Sequence, residues 1–224
     1  MAIDKETARE RLRELQTAFA DRGDALGWFE ALYSGSAGDT SVIPWADLEP
    51  NHFFKVWAET KGLTGGGRSA LVVGCGLGDD ANYLKDLGFK VTAFDISPTA
   101  IEWAKRLYGD SEIKFEVCDL LQPVRGWLGA FDFVLEIYTI QPLPLDIRTR
   151  VIDSIASFVA PNGSLVVVTR GRENDVVPEA VPWPLSRDDL KRFEQNGLTE
   201  HSFVEMPPIE NNEPSRFVVE YRRV

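Results

Sequence analysis

Three glycines at alternate positions, Gly74, Gly76 and Gly78, stand in the run LVVGCGLGDD between an apolar segment and a pair of acids. A chain that turns tightly from strand to helix needs residues without side-chain bulk, so that backbone NH groups can approach a ligand at the positive end of the helix. Asp95 closes VTAFD about 20 residues after the first glycine, where an acid can accept hydrogen bonds from both hydroxyls of a ribose. Two nucleoside cofactors fit a ribose acid. A dinucleotide site places its third glycine three residues beyond the second, so that the helix end meets a pyrophosphate, and here that position is Asp79. A negative side chain is unfavourable beside a pyrophosphate and tolerable beside the ammonium of a methionine tail. The pattern favours S-adenosylmethionine, with a nicotinamide dinucleotide as the alternative from another class.

Methyl transfer from a sulfonium is an in-line displacement, and alignment alone can supply about 7 to 11 kcal/mol. A thiol, with a pKa of roughly 8.5, already offers some thiolate near neutrality, whereas an alcohol needs a base. The histidines are His52 and His201. His52 lies in an aromatic-rich stretch and is the candidate to line a site; His201 opens a strand near the far end. With no stronger base in view, the expected acceptor is a thiol, a halide or another soft nucleophile of a small molecule. Oxygen or nitrogen of a small metabolite is the alternative, and a cofactor-binding protein without turnover is another. Tyr138 and Gln141 follow the fourth strand, at the edge where a doubly wound sheet places ligands, and are the candidates for acceptor contact. Glu136, ending that strand, is placed to orient the methionine ammonium or the acceptor. Trp183 follows a charged loop, residues 170–181, long enough to act as a lid. Trp28 and Trp45 form an opposite wall whose rings suit a cationic sulfonium, or else staple the N-terminal segment to the core. No His or Cys cluster has ligand spacing, so no metal site is expected.

These residues need a frame to hold them. The 224 residues allow one domain with an extension, and 44% hydrophobic with 26% charged residues is ordinary for a globular chain. Asp and Glu number 35 against 24 Lys and Arg, a net charge of -11 that disfavours nucleic acid as a partner. Cys75 and Cys118 sit in apolar runs that read as buried, which suits a reduced, cytoplasmic setting. No apolar stretch reaches the roughly 18 residues of a membrane span, and the first residues lack a signal core. A monomer or homodimer is expected. Leu12, Leu15 and Phe19 recur at helical spacing in residues 4–20, and an aromatic-rich stretch runs from Gly27 to Lys61 before the break Gly65-Gly66-Gly67. Strands are expected at 69–73, 90–95, 113–118, 131–136 and 164–169, with helices at 79–87, after Ser97-Pro98, and at 145–159. A helix over 187–195 and strand-like segments at 200–206 and 216–221, divided by Pro207-Pro208 and Asn211-Asn212, close the chain. The fold class is α/β: a doubly wound, Rossmann-like, seven-stranded sheet, mostly parallel with an antiparallel C-terminal hairpin, plus a helical N-terminal cap. Residues 1–64 form the cap and 65–224 the main domain.

The run VVGCGLGDD, then FDISPTAIEWAK, EVCDLL, FDFVLEIYTIQPLP and VAPNGSLVVVTR resembles, in order and spacing, the motifs of class I S-adenosylmethionine-dependent methyltransferases. The resemblance covers residues 69–170. It implies that Gly74, Cys75, Gly76 and Gly78 surround the methionine portion, that Asp95 holds the ribose with Ile96 flanking the adenine, and that Asp119 meets the adenine amino group with Leu120 beside it. Many members carry an acid two residues before the first glycine; here Val72 stands there. The block GWFEALYSGSAGDTSVIPWADLEPN resembles, more loosely, the N-terminal segment of thiopurine and thiol or halide methyltransferases, which folds over the cofactor. Glu136 matches that group's acid at the end of the fourth strand.

Overall fold

The computed structural model describes residues 5–122, 124–178, 181–209 and 213–224. Helices α1 (Lys5–Ala20) and α2 (Gly27–Gly35) open the chain, and α3 (His52–Lys61) follows a segment of turns with one 3-10 turn at Thr40–Val42. Then come β1 (Ser69–Val73), α4 (Asp79–Asp86), β2 (Lys90–Asp95), α5 (Pro98–Tyr108), β3 (Lys114–Val117), β4 (Phe131–Ile137), α6 (Arg148–Ser157) and β5 (Val159–Arg170). Short helices α7 (Arg187–Leu190) and α8 (Arg192–Gln195) precede β6 (Leu198–Met206) and β7 (Arg216–Arg223). The expected turn at Asn211-Asn212 and the start of the first helix at Asp4 lie outside the described residues.

The seven strands form one sheet of order β3-β2-β1-β4-β5-β7-β6. The first five are parallel, and β7 enters antiparallel between β5 and β6. The central strands carry apolar residues on both faces because helices cover both. On one face α6 and α8 pack Ile152, Ile155 and Phe193 onto Leu71, Val134 and Leu165. On the other, α3, α4 and α5 pack Phe54, Trp57, Leu84 and Ile101 onto Val72, Phe133 and Val166. Helix α3, although within the N-terminal 64 residues, is thus part of the layer against the sheet. A third cluster joins Trp28, Leu32, Tyr33 and Ile43 to Leu77, Ala100 and Trp103 and seats the first helices on the glycine loop and α5.

The helix starts follow their side chains. Ser97 accepts from Ala100 N at 3.0 Å and Pro98 takes the first turn of α5. Asn51 accepts from Phe53 N and Phe54 N to begin α3. Apart from end shifts of three residues or fewer, as where the helix expected at 145–159 runs Arg148–Ser157, two expected boundaries differ. The Pro161-Asn162-Gly163 turn is absorbed into β5 as a register shift opposite Phe131–Phe133. The helix expected over 187–195 breaks in two after Leu190, with Ser186 and Asp189 forming a reciprocal cap on the first piece. Among the described residues no helix is long and apolar enough to cross a membrane.

Candidate active site

The carboxyl ends of β1, β2, β3 and β4 open into one cavity of about 1090 Å³, roofed by residues 44–53 and by α2. Its floor is the glycine loop. Gly76 has φ +52, and a side chain there would come within 2.9 Å of the Tyr33 hydroxyl, so the close approach of roof and floor requires glycine. That hydroxyl accepts from Trp45 Nε1 at 2.9 Å, and Trp28 meets Trp45 edge-on, which places all three rings on the roof. Gly78 serves packing instead: at φ +92 its missing Cβ leaves room for the Phe115 ring, and it does not line the cavity.

Asp95 is buried at the end of β2. Its Oδ2 accepts from Gly76 N and its Oδ1 from Ser97 N, both at 2.9 Å. Burial raises its pKa against the pull of these bonds. A carboxylate offers about four acceptor sites, so two remain for a pair of vicinal hydroxyls. Ile96, Cys118, Asp119 and Leu120 continue the wall. Asp119 Oδ1 holds Leu121 N at 2.8 Å and Oδ2 holds Gln122 Nε2 at 3.0 Å, which fixes the carboxylate's plane. Cys75 and Cys118 are half-buried rather than enclosed, and both face this cavity as free thiols. Burial pushes the Cys75 thiol well above its ordinary range, with Asp95 adding to the effect.

The chain leaving β4 forms the far end of the cavity. Glu136 lies beneath this wall, fully buried, and not on it. Its Oε1 accepts from Thr139 N at 2.7 Å and Ile140 N at 3.0 Å, bracing the turn from below, while Oε2 has no partner among the described residues. Burial pushes this carboxyl up to about 7. The braced turn holds Tyr138 at φ +58, a left-handed conformation costly for a residue with a side chain. The Tyr138 hydroxyl accepts from Arg216 Nε at 2.8 Å, and burial raises its pKa despite the nearby Arg216 charge. Gln141 Oε1 accepts from Arg170 N at 3.0 Å, and its amide NH2, on the cavity wall, has no partner among the described residues. Glu213 bridges Arg170 and Arg216.

Trp183 does not line the cavity among the described residues; its NH donates to Gln141 O and its carbonyl accepts from Arg148, so its backbone fixes the strap whose Val181 and Pro182 form the wall. His52 is exposed at the start of α3 and lines the cavity rim. The structure thus brings together Trp28, Trp45, His52, the loop 74–76, Asp95, Ile96, Asp119, Leu120, Tyr138 and Gln141, and leaves Gly78, Glu136 and Trp183 behind the surface. Sequence reasoning missed Tyr33, Asn51, Asp80 and Arg216 as site residues. The aromatic clustering of residues 28–57 held a signal for Tyr33; Arg216 arrives from the last strand and had none.

The strand order and the position of this cavity define the class I methyltransferase architecture. Residues 70–163 match the family model described as a methyltransferase domain. The chain is 25% identical over 170 residues to a 2-heptyl-1-hydroxyquinolin-4(1H)-one methyltransferase of Mycobacteroides abscessus, covering 74% of this chain and 73% of that one. Among solved structures it is similar to one from work on "Conversion of a Disulfide Bond into a Thioacetal Group during Echinomycin Biosynthesis" (TM-score 0.69, 24% identity, 88% of this chain and 91% of that one). It is also similar to the N-methyltransferase NodS of Bradyrhizobium japonicum WM9 in complex with S-adenosyl-L-homocysteine (TM-score 0.66, 20% identity, 87% and 97%). Magnesium protoporphyrin IX methyltransferase of Synechocystis PCC 6803, with the same product bound, has TM-score 0.67 at 16% identity, covering 88% and 98%. At these identities the solved structures speak for the fold. The methyltransferase-domain match, the similarity to a curated methyltransferase and the glycine-loop cavity together make this chain a S-adenosylmethionine-dependent methyltransferase. The cofactor fits the residues present: a bare-glycine floor, two open acceptor sites on Asp95 and an aromatic roof over the loop.

Proposed function

We propose that the enzyme methylates a thiol or a comparably acidic heteroatom of a small, largely apolar molecule. The observation that carries this reading is the far end of the cavity. There Phe53, Leu143, Pro182 and Ile209 make apolar walls around a small polar cluster, Tyr138 held by Arg216. A positive side chain behind a hydroxyl favours an acidic acceptor, because it stabilises the negative charge that builds on the acceptor atom as its proton leaves. S-adenosylmethionine, when bound, supplies a methyl group on a cationic sulfur and departs as S-adenosyl-L-homocysteine. Asp95 holds the ribose hydroxyls, Asp119 receives the adenine amino group between Ile96 and Leu120, and the loop from Gly74 through Cys75 to Gly76 takes the methionine portion. Trp28, Tyr33 and Trp45 close the roof, exclude water and offer ring density to the sulfonium. Tyr138 and the Gln141 amide orient the acceptor. The N-terminal roof supports kinship with the thiol and halide branch, and with it the soft-nucleophile reading.

A second reading, an N-hydroxy or phenolic oxygen, is favoured by the similarity to an enzyme named for a 1-hydroxyquinolone. An acceptor screen with methyl-labelled cofactor separates them: aryl and alkyl thiols, iodide, an N-hydroxyquinolone, phenols, and amines. Turnover of a thiol in preference to the oxygen acids is the expected result. Turnover of amines alone would overturn both readings, and turnover of nothing would leave a cofactor-binding protein.

A further inference from the structure

Asp80, in the first turn of α4, lines the cavity, and its carboxylate is half committed. Oδ1 accepts from Asn51 N at 2.7 Å, and Oδ2 has no partner among the described residues. Asn51 also lies beside the acceptor end: it lines the same cavity as Tyr138, and its side chain is near enough to that hydroxyl to pull its pKa down. Asp80 and Tyr138 therefore stand on two sides of one residue, with His52 and Phe53 following on the same cavity wall. The neighbouring acid Asp79 also lines the cavity, but its Oδ1 takes the Tyr108 hydroxyl at 2.6 Å, on the side of α5 and away from Asn51.

We propose that Asp80 is the proton acceptor of the methylation, acting on an S–H or O–H group held against Tyr138; this rests on the functional reading above. The heteroatom–hydrogen bond of the acceptor breaks and its electron pair forms the new bond to the methyl carbon. The pair of the old methyl–sulfur bond stays with the cofactor's sulfur, and the proton passes to Asp80 Oδ2 and on to cavity water. The surroundings suit the task. Burial pushes the Asp80 carboxyl up to about 7, against the Asn51 hydrogen bond, and Asp79 adds to the rise. A base is most effective with a pKa near the working pH. The other titratable groups around it are Asp79 on α4, Tyr108 on α5, Cys75 on the glycine loop, Asp47, Glu49 and His52 on the roof, and Tyr138 with Arg216 at the far end.

The test is Asp80→Asn, which keeps an oxygen for Asn51 N, with Asp80→Glu as a second variant and thermal melting as the check on folding. Thiols of graded acidity are the acceptors. For alkane thiols kcat/KM should fall about 100-fold in Asp80→Asn, the usual scale for a lost general base, and the rise in rate through pH 7 should vanish. Aryl thiols, ionised at the assay pH, should lose less than about threefold, and Asp80→Glu should regain part of the loss and a pH limb. Without any turnover, carboxyl 13C NMR of aspartate-labelled apoprotein should show one resonance titrating near pH 7 that is absent from Asp80→Asn. Weakened binding of S-adenosylhomocysteine by Asp80→Asn would make Asp80 an ammonium ligand and overturn the proposal. So would equal losses on all thiols, or no loss. Wild-type protein that methylates no S–H or O–H acceptor would overturn the functional reading, and this role with it.

Discussion

Asp95 already carries two hydrogen bonds from its own chain, to Gly76 N and Ser97 N, so a ligand meets a carboxylate that is fixed in orientation. Pre-orientation of this kind keeps the two remaining acceptor sites aligned and avoids ordering costs on binding. Replacing Asp95 with Ala removes two charge-assisted bonds to the ribose, each on the order of 1.5 to 3 kcal/mol. Affinity for S-adenosylhomocysteine, measured by calorimetric titration, should fall by about 100-fold or more, and melting should fall too because Gly76 N and Ser97 N lose their partner. Unchanged affinity would remove Asp95 from the site. Asp95 was legible in the sequence because its spacing from the glycine loop is set by one strand, one helix and the next strand. Asp80 was not, because its meaning comes from Asn51, 29 residues upstream and at the cap of another helix. Glu136 was misread for a related reason. A carboxylate ending a strand can face solvent or fold under the turn, and here the otherwise unpaired Thr139 N and Ile140 N draw it under.

At the scale of elements, the side-chain hydrogen bonds that tie α2 to the core come, among the described residues, from one residue. Glu30 of α2 accepts from Ser97 Oγ at 2.6 Å, Thr99 Oγ1 at 2.6 Å and Thr99 N at 3.1 Å, at the positive end of α5. Its partial burial raises its pKa, but the bonds from Ser97 and Thr99 outweigh that and leave it lowered, so the group is ionised in use. Glu30→Ala should leave the sheet folded and loosen α1 and α2. Limited trypsin digestion would then cut at Arg13 or Arg22 several-fold faster than in wild type, and bound S-adenosylhomocysteine should protect less. Equal cleavage rates would show that the apolar contacts of Trp28, Leu32 and Tyr33 hold the roof alone. The periodic elements were readable, since apolar runs such as residues 70–73 and the Ser97-Pro98 start are local signals. The roof was readable only as a cluster of aromatics, because its docking depends on contacts such as Tyr33 over Gly76 that no local pattern encodes.

Across the whole molecule the buried acids set how stability responds to pH. Glu136 moves from an ordinary value of 4.5 up to about 7 by burial, and Asp80 likewise reaches about 7. Between the usual carboxylate range and pH 7 the folded chain therefore binds more protons than the unfolded one, and stability falls as pH rises through that window and levels off above it. For Glu136 the full span is worth about 3 kcal/mol, at 1.36 kcal/mol per pKa unit. Asp80 opens to the cavity, so its share has the same sign and is smaller. Asp79 and Asp95 are also raised, chiefly by burial, and act in the same direction. Groups held low work oppositely: Asp132 beside the Ser69 hydroxyl and Asp153 beside Arg192 lose their contribution as pH falls below the carboxylate range. Stability should thus peak at mildly acidic pH, with melting several degrees higher near pH 5.5 than at pH 8. The net charge of -11 bends the curve the same way, because acidification relieves self-repulsion, but that part is screened by salt whereas desolvation of a buried carboxylate is not. Melting of wild type and Glu136→Gln across pH 5 to 8 in about 0.5 M salt isolates the buried term, since Gln retains an acceptor for Thr139 N and Ile140 N and carries no charge. The variant should melt with a markedly flatter pH dependence. Parallel curves would mean that Glu136 ionises in the fold as easily as in the unfolded chain, and that the turn carrying Tyr138 rests on an ordinary carboxylate.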